Sequence, residues 1–129
     1  MLGKLHHISI TCQSIQPCIE FYSRFGFEEE KRYEDEELII SLLKSAHGGH
    51  IELFEFKVRS AHRQEREFLD IGKRGISHLA LEVEDLNECY AELCKQQQCS
   101  PIKKARLGGF QYFFTTDPSD NNVEIIATD

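Results

Sequence analysis

The chain has 129 residues, 40% of them hydrophobic and 29% charged, with a formal net charge of −7, a composition that suits one globular domain with a packed core. It shows neither a basic stripe with interleaved aromatics nor an apolar run near the ~20 residues that cross a bilayer. Nucleic acid and membrane are therefore not expected as partners.

In chain order, LHHISIT reads as a strand, and a strand sends neighbouring side chains to opposite faces. At most one of His6 and His7 can then serve a site. An amphipathic helix follows. Pro17 suits its first turn, Cys18, Phe21, Tyr22 and Phe25 recur at helical spacing, and Gly26 stands where it should stop. A short strand over about Phe27 to Tyr33 comes next, then LIISLLK and HIELFEF, separated by the turn residues SAHGG. The charged stretch from Lys57 to Gly75, with one short helical segment, reads as a connection.

ISHLALEV opens the second half as a strand. Asp85 is positioned to cap a helix, with Glu88 three residues on, the spacing of a capping box. Leu86, Cys89, Tyr90 and Leu93 form its apolar stripe. PIKKARL, FQYFFTT after Gly108–Gly109, and NVEIIAT after DPSDN read as three strands. Each half is β-α-β-β-β, so the chain is read as an α+β fold of two tandem modules within one domain, 1–129. Module one is about 1–56, the connection about 57–75 and module two about 76–129. The five cysteines are odd in number, none lies in CxxC, and no apolar leader follows a basic start. These features predict free thiols and a cytoplasmic protein, with Cys18 a small buried hydrophobe.

Superimposing the halves singles out four residues. Aligning His7 with His78 places Ile8 over Leu79 and Ile10 over Leu81, the apolar face, and sets both histidines on the other face. His6 falls over Ser77 and is expected to be a solvent-side neighbour. In the last strand of each module Glu52 lies over Glu124, 45 residues after His7 and 46 after His78 respectively. A carboxylate within IELF or VEII is costly unless its charge is compensated. Neither has a Lys or Arg two residues away on its face. Two such acids beside two histidines make a divalent metal the economical partner.

LHHISI followed by IEFYSRFGF, then HIELF, ISHLALEV and DPSDNNVEII, resemble the vicinal oxygen chelate superfamily, the glyoxalase, bleomycin resistance and extradiol dioxygenase group. The resemblance covers essentially the whole chain. It implies paired βαβββ modules whose strands curl into an open cup around a metal. It assigns the metal stations to His7, Glu52, His78 and Glu124, a His/Glu/His/Glu set similar to that of glyoxalase I. The ion implied is divalent: Ni or Zn, ahead of Co, Mn or Fe(II). Glu124 is the implied proton-transfer base, with Glu52 sharing the role. Arg74, four residues before His78, matches a substrate-binding arginine of some members. Thr11 stands where glyoxalase I has a glutathione-binding arginine. Phe54, Glu55 and Phe56 occupy the region of its glutathione-binding asparagine. DPSDNN lacks the family's turn glycine, and Asn121 or Asn122 is expected to take the positive φ there.

The resulting expectation is a metal-dependent glyoxalase-like lyase or isomerase, a homodimer, acting on a small carbonyl or thiol-adduct substrate. The alternatives are a small-molecule binding or resistance protein, and another metal enzyme of the group such as an epimerase or thiol transferase. Lys104 and Arg106 are further candidates for meeting an anion. Phe54, Phe56, Tyr112 and Phe114 would give an aromatic lining.

Overall fold

The computed structural model describes residues 1–58 and 69–129. The chain divides into two compact units, Met1–Gln64 and Glu65–Asp129, and the helical segment expected within the connection lies outside the described residues.

The first unit contains β1 (His7–Cys12), α1 (Ile15–Ser23), β2 (Phe27–Glu34), β3 (Leu38–Ser45) and β4 (His50–Phe56). Its sheet has the order β1-β4-β3-β2, with β1 parallel to β4 and the other pairs antiparallel. The helix serves as the crossover that a parallel pair requires. It buries Ile15, Cys18, Phe21 and Tyr22 on the side of the sheet that carries Ile10, Cys12, Leu43, Ile51 and Leu53, all buried. Gly26, at φ 86°, ends the helical turn, a conformation that glycine reaches without a Cβ penalty. Ser14 occupies the cap position without a side-chain cap. In its place the Glu55 carboxylate accepts from the Ile15 backbone N–H at 2.8 Å.

The second unit repeats the plan with β5 (Leu79–Glu82), α2 (Leu86–Leu93), β6 (Lys103–Lys104), β7 (Phe110–Thr116) and β8 (Asn122–Thr128). Its sheet has the order β5-β8-β7-β6, again with a parallel first pair. Asp85 caps α2 as expected, its side chain accepting from the Glu88 N–H. Leu86 and Leu93 are buried, as are Leu79, Phe113, Val123 and Ile125. Tyr90 meets Phe113 edge to face with ring centroids 4.9 Å apart.

Two local expectations are corrected. The strand expected over PIKKARL shrinks to Lys103–Lys104, paired with Tyr112 and Gln111. Pro101 has no N–H to give, and the chain turns back early, with Ala105 N–H donating to Phe110 O and Gly108 N–H to Ala105 O. In DPSDNN the positive φ falls on Asp120, at 64°, rather than on Asn121 or Asn122. Asp117 fixes that outcome. Its carboxylate, 1% exposed, accepts from the N–H groups of Ser119 and Asn121 and from the Asn121 side-chain amide. Holding both N–H groups on one carboxylate forces the residue between them into the left-handed region.

Candidate metal and substrate site

Along β4, residues alternate between the helix side and the open side of the sheet. Ile51 and Leu53 are buried, so Glu52, Phe54 and Phe56 take the open face. The parallel register sets Ser9 opposite Glu52 and Thr11 opposite Phe54, which brings His7 to the same face. His7 Nε2 lies 3.4 Å from Glu52 Oε1. That oxygen also accepts from Ser9 Oγ at 2.8 Å.

The second unit builds the same pair. Val123 and Ile125 are buried, Glu124 faces the open side, and His78 Nε2 lies 2.8 Å from Glu124 Oε2. His78 sits one residue before β5 rather than within it. The His78 and Glu124 side chains are 22% and 12% exposed, against 36% and 24% for His7 and Glu52. The second pair is therefore both the closer and the less exposed to water. At the station matching Ser9 the second unit has Ala80, opposite Glu124. Glu124 thus lacks the hydroxyl bond that ties Glu52.

The outer nitrogens of the two imidazoles are also engaged. His78 Nδ1 lies 2.7 Å from Ser77 Oγ, and His7 Nδ1 lies 2.9 Å from His6 Nδ1. His6 is exposed, as expected, but it is more than a solvent-side neighbour. Its ring stacks on His50 at 4.8 Å and 9°, and its carbonyl lies 3.2 Å from His50 Nδ1. The hydrophobic pattern carries no trace of these partners. The alignment of His6 with Ser77 is their only sequence signal.

The open faces also carry a set of aromatic and aliphatic residues beside the polar ones. In the first unit the row beyond Glu52 runs Thr11, Phe54, Ile40 and Tyr33 across the sheet. The rings of Phe54 and Phe56 are nearly parallel, at 13° and 6.2 Å. In the second, Phe114 lies opposite Glu124 and meets the His78 ring edge to face at 5.0 Å. Tyr112 packs against Phe114 at 5.8 Å. Arg74 lies in an exposed loop before β5, and Lys104 and Arg106 are exposed. Among the described residues, no group of three or more His, Cys, Asp or Glu side chains is placed to hold a metal ion, and no helix is long and apolar enough to cross a membrane.

Paired βαβββ units, each with a His and a Glu side by side on its open face, define the class. The family description "Glyoxalase/Bleomycin resistance protein/Dioxygenase superfamily" matches residues 4–125, and the chain belongs to that superfamily. Among solved structures it is similar to a glyoxalase family protein from Bacillus cereus, at TM-score 0.84 and 17% identity, covering 99% of this chain and 95% of the other. It is similar also to the trypanothione-dependent glyoxalase I of Leishmania major, at TM-score 0.70 and 18% identity over 98% and 87% of the two chains. A genomically encoded fosfomycin resistance protein from Listeria monocytogenes gives 0.73 and 16% over 100% and 94%. At these identities the likeness is one of fold. No curated protein sequence matches the chain.

Proposed function

We propose that the protein is a metal-dependent lyase or isomerase of the glyoxalase type, acting on a small carbonyl compound or its thiol adduct, with His7, Glu52, His78 and Glu124 as ligands of one divalent ion. The carrying observation is the repeated His–Glu pair, one imidazole nitrogen beside one carboxylate oxygen in each unit, at 3.4 and 2.8 Å. Donors bound ~2.0–2.2 Å from a first-row divalent ion lie roughly 2.8–3.5 Å apart when adjacent, so the spacing within each His–Glu pair suits two neighbouring ligands of such an ion. Neutral imidazole and carboxylate also suit Ni, Zn and their neighbours.

When bound, the ion would act as a Lewis acid, neutralising the charge that develops on two adjacent oxygens as a proton moves between their carbons. Glu124 takes that proton from one carbon and returns it to the other. One difference supports this role: Ala80 stands opposite Glu124 where Ser9 stands opposite Glu52, so no hydroxyl of that kind occupies the Glu124 carboxylate. Glu52, tied by Ser9, serves chiefly as ligand. Phe54, Ile40 and Tyr33 favour a substrate whose remainder is apolar, and Thr11 in their row offers a hydroxyl rather than a cation to a carboxylate.

The test is metal analysis of the purified protein, followed by turnover of methylglyoxal with glutathione, or with an aryl glyoxal, after loading with Ni or Zn. About one ion for each His/Glu/His/Glu set is expected, with activity lost to a chelator. Glu124→Gln should retain the fold and lose turnover by roughly 10²–10⁴-fold. Wild-type turnover in that variant removes Glu124 from the base role. Failure to take up any metal overturns the reading and leaves a protein that sequesters small molecules, for which the open-face aromatics are suited.

A further inference from the structure

We infer that Ser77 and His6, the residues immediately before the paired histidines, are positioning residues that hold each imidazole through Nδ1 and allow it to exchange tautomers when a metal takes Nε2. The inference rests on the reading of His78 and His7 as metal ligands. Its geometry is repeated in the two units: Ser77 Oγ lies 2.7 Å from His78 Nδ1, and His6 Nδ1 lies 2.9 Å from His7 Nδ1. Two unlike residues thus occupy one station of the repeat and make the same contact.

Their shared chemistry explains the choice. In the metal-free protein a carboxylate, which only accepts, stands next to each Nε2, which favours the tautomer with the proton on Nε2 and an accepting Nδ1. A neutral imidazole that gives Nε2 to a metal carries its proton on Nδ1 and must donate there. Its partner at Nδ1 has to do both jobs. A backbone carbonyl or a carboxylate could only accept, whereas a serine hydroxyl or a second imidazole can donate or accept. The exchange is balanced: one proton leaves Nε2 for water, one enters Nδ1 from water, and the ring stays neutral. The Ser77 hydroxyl rotates, and His6 shifts its own proton in the same way.

Partners of this kind orient the ring and raise ligand affinity. Two measurements on the full chain test the inference: long-range ¹H–¹⁵N correlation of the histidine rings without and with zinc, under mildly alkaline conditions, and zinc competition against a chelating dye. Wild type should show Nε2–H on His78 without zinc and Nδ1–H with it. Ser77→Ala and His6→Ala should each lose zinc affinity by about 10- to 100-fold. Ser77→Thr and His6→Asn, which keep a donor and an acceptor, should recover most of it. A role in folding alone would not separate Ala from Thr in this way. Wild-type affinity in both alanine variants, or Nδ1–H on His78 without zinc, overturns the inference. Should the wild type bind no zinc, the metal reading fails, while the metal-free tautomer, which needs no ion, still tests the hydrogen bonding inferred here.

Discussion

Replacing Asp117 with alanine tests how the second unit presents Glu124. Asp117 is buried, and its carboxylate accepts from three donors: Ser119 N–H at 2.8 Å, Asn121 N–H at 3.0 Å and the Asn121 amide at 3.0 and 3.2 Å. A bond to a charged acceptor is worth more than a neutral one, but these donors are only part-buried and regain some water on mutation. About 1 kcal/mol for each, roughly 3 kcal/mol in all, is the expected loss. With an unfolding entropy of roughly 2.1 cal/mol/K per residue over 129 residues, that corresponds to a fall in Tm of roughly 11 °C. Asp117→Asn keeps one carbonyl oxygen for the two backbone donors and should lose about half as much. Thermal melts followed by circular dichroism give both numbers. A Tm within about 3 °C of wild type for Asp117→Ala, or equal losses for Ala and Asn, would refute the account of the turn.

Two further outcomes are expected. Glu55→Ala removes the acceptor at the N-terminus of α1 and should cost about 1 kcal/mol in denaturant titration; an unchanged midpoint would mean that water replaces the carboxylate at no cost. Burial, then a hydrogen bond with Cys94, pushes the Cys99 thiol up to about 11, so at neutral pH iodoacetamide should modify exposed Cys94 well before Cys99, with peptide mapping as the readout. The same shift sets a sign for stability. The protonated thiol is favoured in the folded state, so its contribution is complete below the ordinary value of 9.0 and is lost as pH rises toward about 11.

Much of this architecture is written in local patterns. Period-two alternation in HIELFEF and NVEIIAT, with Ile51, Leu53, Val123 and Ile125 buried, fixes which face Glu52 and Glu124 take, because a strand has only two faces. The repeat then aligns each glutamate with a histidine, and Asp85 caps α2 from three residues away. These features depend on neighbours in the chain or on a pattern that appears twice. The rest depended on contacts between distant residues. The α1 cap comes from Glu55, 40 residues beyond Ile15, and the hydroxyl that distinguishes Glu52 from Glu124 comes from Ser9 across a parallel pair. No periodicity records such pairs, since they exist only once a strand register is formed. Strand length at PIKKARL and the left-handed residue in DPSDNN were likewise decided by hydrogen bonds to the turn itself, where several backbone paths suit the same residues until a buried carboxylate or a facing strand selects one.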